Sequence, residues 1–410
     1  MMRILVAYEF GAGLGHLSRL LAVAQRLLDS HRVTIAIPNL SLASAVRRNA
    51  KFGQVEVLAG VKWQAPDTPE ARKIPTKTFA DAIRIFDFHN RDQLRLAVQR
   101  WRQLLKSVAP DLIIADFAPS LRIATKGIVP TVVVGNGYSV PPGGHPLLPM
   151  RPWEDDVPEA SRRHEEHLLE TVNAIAREFS SQDVSFFSDL FQGEKTFVCT
   201  IAEFDPYARL RTEPQIWPFN IPDINRAVQR TTTPRAFCYF QRNHPSLPNV
   251  ISAINELNAT TQIYVQGADS KRVAARCADR VAVHKAPADF ARILPNTSLL
   301  IHHAGLGTAY AGLIAAVPQL VLPLNLEHFI TALGLEKFGS SMSLPVNADP
   351  DVIRSAMQRL LSDSEVQSRS RLASELLERR RQKDPLATVL KACEALVPDL
   401  QADGLSEPAS

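Results

Sequence analysis

Short unbroken apolar runs alternate with amphipathic stretches along most of this chain. "RILVAY" (3–8) is followed by a glycine-rich turn and then by "LSRLLAVAQRLLDS" (17–30), whose apolar residues recur at helical spacing. "HRVTIAIP" (31–38) and "LSLASAVRRNA" (40–50) repeat the strand–helix alternation. So do the helix "RDQLRLAVQRWRQLLKSV" (91–108) and the strands "PDLIIADF" (110–117) and "PTVVVGN" (130–136). Strands that read as continuous apolar runs are buried on both faces, so the pattern predicts a parallel sheet covered by helices on both sides.

The pattern breaks twice. From Pro141 to Pro158 it gives way to a Pro/Gly-rich loop containing "PPGGHPLLPMRPW", and a charged amphipathic helix is predicted from Glu159 to Phe179. "KTFVCTIAEF" (195–204) then reads as the last strand of a first domain, 1–205, and the proline-rich stretch 206–234 as a linker. The alternation restarts with "RAFCYF", "LPNVISAINELN", "TQIYVQG", "RVAVHK", "SLLIHHAG", "TAYAGLIAAV" and "PQLVLPL". This is a second α/β domain over 235–383, and the remaining 384–410 comprises a final helix, able to cross back onto the first domain, and a tail.

Composition narrows the function classes. The length of 410 residues fits about two domains, with 45% hydrophobic residues and 21% charged. The net charge of +4 is mild and its lysines and arginines are scattered, which argues against nucleic acid as a partner and leaves room only for weak peripheral contact with an anionic membrane. Cys199, Cys238, Cys277 and Cys393 are far apart in sequence and read as small buried hydrophobes. With no apolar run of the ~18 residues a membrane span needs, and a core strand directly after Met1, the expected location is the cytoplasm.

The turn after the first strand, "FGAGLGHLSR", carries Gly11, Gly13 and Gly15 followed by His16. A dinucleotide fingerprint needs a third glycine where His16 stands and an acid about 20 residues on, where the second strand instead ends at Asn39; no G-K-[ST] follows to make a phosphate loop. A glycine-lined turn that lets a ligand approach the backbone remains, with a histidine at the carboxyl edge of the sheet. There His16 serves as a general base or as a helix cap. Asp116, at the carboxyl end of "PDLIIAD", lies on the same edge and is the expected partner of His16, with a turn cap as the plain alternative. Asp111 and Arg19 read as surface residues, Arg19 with a domain-contact role as its other reading. His145 and Tyr138, in and beside the Pro/Gly loop, read as candidates for an acceptor-side pocket.

In the second half an apolar strand ends at His302-His303, a glycine turn follows, and Thr308 opens a helix. Backbone amides and dipole at such a helix start form an anion site, to which His303, Gly305, Gly307 and Thr308 would contribute. His302 is expected to pack at the strand edge. Arg242, just after the strand "RAFCYF", is within reach of a bound phosphate or lies on the surface.

The stretch "HHAGLGTAYAGLIAAVPQLVLPLNLEH" resembles the C-terminal signature of the family-one nucleotide-sugar glycosyltransferases (UDP-glycosyltransferase-like and MurG-like), H-G-G-x-G-T-x-x-E-A-x-x-x-G-V-P with a later D-Q pair. The matching positions are His303, Ala304, Gly305, Gly307, Thr308, Val317, Pro318 and Pro323, with Glu327-His328 at the D-Q place. "VHKAPADFARILPN", which contains His284, is similar to the segment that receives the nucleotide base. "GLGHLSRL" and "IIADF" resemble the loop and strand that carry the family's base and its carboxylate. The resemblance implies a GT-B fold, two Rossmann-like α/β domains facing a central cleft, closing over it about the linker. It also implies an inverting transfer, without metal or cofactor, from a UDP- or dTDP-sugar to an acceptor hydroxyl of a small molecule, glycan or lipid-linked intermediate. His16 would be the base and Asp116 its partner, Gly13, Gly15, Tyr138 and His145 would face the acceptor, His303, Gly305, Gly307 and Thr308 would hold the diphosphate, and Arg242 and His284 would also bind the donor. Glu327 and His328 would bind the sugar. No D-x-D motif occurs in the chain. Where the signature has a ribose-binding glutamate this chain has Ala311, which leaves a nucleotide-sugar-binding protein without transfer activity as an alternative; a related epimerase or hydrolase is the other.

Overall fold

The computed structural model describes residues 1–11, 14–47, 49–64, 76–219, 221, 223–224 and 233–397. Two compact units emerge: Met1–Phe219 together with the segment from Gln382 onward, and Asn220–Arg381.

In the first unit, seven parallel strands are ordered β3-β2-β1-β4-β5-β6-β7. They are β1 (Arg3–Tyr8), β2 (Arg32–Ile37), β3 (Glu56–Ala59), β4 (Leu112–Asp116), β5 (Thr131–Gly135), β6 (Lys195–Cys199) and β7 (Gln215–Ile216). The apolar runs are as buried as their lack of polar interruptions requires: every residue of β4 and β5 is buried. One face is covered by the first helix, Leu14–Leu27, and by the terminal Pro385–Leu396 helix, whose Val389 and Cys393 are fully buried in the same apolar cluster as Leu17, Leu20 and Val23. Trp101 of the Arg91–Val108 helix is likewise buried.

The first unit extends past residue 205. Residues 206–219, assigned to the linker from their prolines, lie within it. β7 pairs with β6, and Arg211 is buried on Asp205, with Glu213 3.2 Å away and the Gly137 carbonyl 3.0 Å away. A buried ion pair with its remaining hydrogen bonds filled holds a chain segment in place whatever its proline content. The edge strand was illegible because two residues are too few for a periodicity.

The second unit is a six-stranded parallel sheet ordered β10-β9-β8-β11-β12-β13. Its strands are β8 (Arg235–Gln241), β9 (Thr260–Gln266), β10 (Val281–Val283), β11 (Leu299–His302), β12 (Gln319–Val321) and β13 (Ser341–Ser343). The Leu306–Ile314 helix follows β11, and the Leu326–Glu336 helix follows β12. In each sheet the chain order reverses once, between β1 and β4 and between β8 and β11. Ligands of open α/β sheets bind at such switch points, beyond the carboxyl ends of the strands. No helix among the described residues is long and apolar enough to cross a membrane.

Candidate active site

The switch point of the first sheet is built by β1, β4 and the first helix. Tyr8 and Asp116 are register partners at the ends of β1 and β4, so whatever follows Tyr8 stands beside Asp116. His16 Nδ1 lies 2.9 Å from Asp116 Oδ2. Asp116 is fully buried, its other oxygen accepting from Ser139 Oγ at 3.3 Å. Arg19 also donates to Oδ2, and it is buried. Its reading as a surface or domain-contact residue is therefore corrected: one turn along the helix from His16 it faces the same way, which the i, i+3 spacing was sufficient to reveal. Burial opposes the Asp116 charge, but the Arg19 guanidinium and His16 outweigh it and hold the carboxyl below the usual carboxylate range.

An ionised Asp116 can only accept, so the proton of a neutral His16 sits on Nδ1 and Nε2 keeps its lone pair. Gly11 makes the room for that ring. Its φ is +105°, and an added Cβ would fall 2.4 Å from His16 Cδ2 and 2.6 Å from Nε2. Gly15 has no atom near its missing Cβ, and Gly13 lies outside the described residues. Asp111 pairs with Arg3 at 2.7 Å, at the opposite end of β4 from Asp116.

Aromatic rings surround the base. Tyr8 stacks on His16 at 6.0 Å, and Phe117 lies 6.0 Å away on another side. Phe117 has a φ of +48°, a conformation a bulky residue adopts only when its surroundings enforce it. It packs on Phe10 at 4.8 Å and Phe79 at 5.3 Å; Phe10 stacks on Trp63, and Phe79 meets Tyr138. His145 instead binds the buried Glu165 of the Glu159–Glu178 helix at 3.1 Å, an anchor for the Pro/Gly loop.

Glu9, at the end of β1, escaped the sequence reading. It is fully buried and accepts from Trp63 Nε1 (2.8 Å), Trp101 Nε1 (3.0 Å), Ser120 Oγ (2.7 Å) and the backbone amides of Leu121 (2.6 Å) and Ser120 (3.4 Å). Burial nevertheless pushes its carboxyl up to about 7, the hydrogen bonds offsetting only part of the desolvation.

At the second switch point His303 follows β11 and is buried, 5.3 Å from Tyr239 of β8. Ala304 has a φ of +63°, at the place where the resembled signature carries glycine. Gly305 caps the Leu306–Ile314 helix without a side-chain hydrogen bond, Gly307 has open space around it, and Thr308 is buried in the first turn. The amides of that turn are thus available to an anion. Asn325 caps the next helix, accepting from the His328 amide at 3.0 Å, which sets Glu327 and His328 in its first turn. His302 is structural: Nε2 meets Gln319 at 2.9 Å and Nδ1 accepts from the Ala304 amide at 3.1 Å. Arg242 is exposed in the turn after β8, and its side chain passes over Gly267. His284, beyond β10 and separated from β11 by β9 and β8, binds Gln262 at 2.7 Å. Ala311 is fully buried and offers no polar side-chain atom.

Residues 250–397 match the family model described as erythromycin biosynthesis protein CIII-like, C-terminal domain. Glycosyltransferase VinC, solved with dTDP, superposes with a TM-score of 0.66 over 97% of this chain and 100% of its own, at 16% identity. The chain has the GT-B fold of these glycosyltransferases. The calicheamicin glycosyltransferase CalG4 shares the fold to the same TM-score, 0.66, at 18% identity over 97% of this chain and 99% of its own. By sequence, this GT-B chain is 33% identical over 72 residues to the 3-alpha-mycarosylerythronolide B desosaminyl transferase of Saccharopolyspora erythraea. That alignment spans 17% of each protein.

Proposed function

We propose that this protein is an inverting sugar transferase that takes its glycosyl group from a dTDP- or UDP-sugar. The observation that carries the reading is the 2.9 Å contact between His16 Nδ1 and a fully buried Asp116. With Nδ1 held by the carboxylate, Nε2 takes the proton of an acceptor hydroxyl as its oxygen attacks the anomeric carbon, and Asp116 stabilises the imidazolium that forms. Attack from one face as the diphosphate leaves from the other inverts the anomeric centre. Arg19 keeps Asp116 ionised while that charge develops.

The amides of the Leu306–Ile314 helix start, with His303, receive the diphosphate and stabilise the charge it gains on leaving, a role that needs no metal. Glu327 takes the sugar hydroxyls. The absence of a glutamate at Ala311 and the dTDP bound by VinC favour a deoxyribose donor. The acceptor is an apolar small molecule bearing a hydroxyl, in keeping with the rings of Phe117, Trp63 and Tyr138 near the base; weak membrane contact has no such support.

The test is a thermal-shift panel of dTDP-, UDP- and GDP-sugars, followed by an acceptor-dependent assay for nucleoside diphosphate release. A dTDP-sugar is expected to raise the melting temperature most. His16→Ala is expected to keep that shift and lose about 10²–10⁴-fold in turnover. Unchanged turnover removes His16 from the mechanism, and release without acceptor points to hydrolysis.

A further inference from the structure

Four histidines meet at the second switch point, and they are not equivalent. His302 uses both ring nitrogens within the protein, as described. So does His244, whose Nε2 donates to the Leu322 carbonyl at 3.0 Å and whose Nδ1 accepts from the Ser246 amide at 3.3 Å. His303 and His328 differ: in each, Nδ1 is buried with no hydrogen-bond partner. Their rings lie 4.9 Å apart, and His303 lies 6.1 Å from His244. A buried polar atom without a partner is destabilising, and a ligand able to engage it removes that cost. Here that happens at two adjacent imidazoles beside an uncapped helix start.

We propose that His328 pairs with His303 to bind the donor's diphosphate, and that this pair takes up a proton as the diphosphate enters. The inference rests on the donor-site reading above and moves His328 from the sugar to the phosphates. The titratable groups around the pair are Tyr239 of β8, 5.3 Å from His303, His244 from the turn after β8 and His302 at the end of β11, with Glu327 next to His328 on its helix. The Leu306–Ile314 helix brings only Tyr310 and its backbone amides, and β13 brings serines and a methionine. Burial, and then the neighbouring imidazoles, hold His303 at about 4 and His328 at about 3, so both are neutral at pH 7. An entering anion reverses that balance, because it favours the imidazolium over the neutral ring. Donor affinity is therefore highest at low pH and declines as pH rises through the value raised by the bound diphosphate.

The probes are dTDP-glucose and UDP-glucose, whose diphosphate diesters do not titrate between pH 6 and 8. Isothermal titration of the full chain in buffers of different ionisation heat counts the protons taken up. The wild type is expected to take up a proton fraction and to lose affinity as pH rises, by at most about tenfold per pH unit for one proton. His328→Gln, which restores the resembled signature's residue and keeps the amide that Asn325 caps, is expected to bind with no uptake and a flat pH profile. The melting temperature of the free variant checks its fold. Binding without uptake in the wild type, or uptake that survives in His328→Gln, overturns the inference and leaves the donor site standing. If neither nucleotide sugar binds at any pH, the donor reading falls and takes the inference with it.

Discussion

A single buried carboxylate shows how much of this site is held by charge. Asp116 is kept ionised by Arg19 and His16 against its own burial, whereas Glu9, whose hydrogen-bond partners are all neutral, is pushed up to about 7 despite its five donors. The difference is that hydrogen bonds from neutral donors compensate desolvation only in part, while a guanidinium supplies a full opposite charge. For Glu9 the folded value lies above the ordinary 4.5, so the folded state binds the proton more tightly than the unfolded chain. Its contribution to stability is complete below about pH 4.5 and is lost as pH rises toward 7, at no more than about 1.4 kcal/mol per pH unit. Urea unfolding midpoints between pH 5 and 8 should therefore fall more steeply in the wild type than in Glu9→Gln. Equal slopes would show that Glu9 does not titrate there.

At the scale of elements, the donor-side turn depends on a network that crosses three of them. Gln319 at the start of β12 accepts through Oε1 from His302 Nε2 at 2.9 Å and donates through Nε2 to the Ala309 carbonyl at 3.1 Å, tying β11, β12 and the Leu306–Ile314 helix together. Gly312 is required beneath it, since a Cβ there would come within 2.5 Å of the Gln319 side chain. Gln319→Leu strands the fully buried His302 nitrogen and removes the link to the Ala309 carbonyl. It is expected to cost about 1–3 kcal/mol and to weaken nucleotide binding by loosening the helix start. Chemical denaturation with and without dTDP measures both; a variant of unchanged stability and affinity would show the network to be dispensable. The helix and strand that carry each end of this network were readable from their apolar periodicity. The network itself was not, because a glutamine inside an apolar strand carries no sign of which neighbour it will meet.

For the whole molecule, the chain's return is the decisive feature. The Pro385–Leu396 helix, separated from Phe219 in chain order by the second unit, Asn220–Arg381, belongs to the first unit's core. Val389→Asp places an unpaired charge in that core and is expected to destabilise the first unit by about 3 kcal/mol or more. All four tryptophans, Trp63, Trp101, Trp153 and Trp217, lie in the first unit. Tryptophan fluorescence should therefore report an earlier thermal transition although the substitution sits next in sequence to the second unit. An unchanged fluorescence midpoint would show that the helix contributes nothing there.

The sequence alone determined the two parallel α/β halves, the glycine turns at their switch points, and His16, Asp116 and His303 as the residues of interest. Each is a local signal: an unbroken apolar run, a glycine where the backbone must turn, a titratable group at a strand end. Tertiary structure decided the rest. It turned Arg19 inward onto Asp116, gave Glu9 its donors from three separate segments, and attached 206–219 to the first sheet. It also left one nitrogen each of His303 and His328 without a partner. Those outcomes depend on contacts between residues far apart in the chain, and the burial that raises Glu9 and lowers His303 and His328 exists only once the chain has folded.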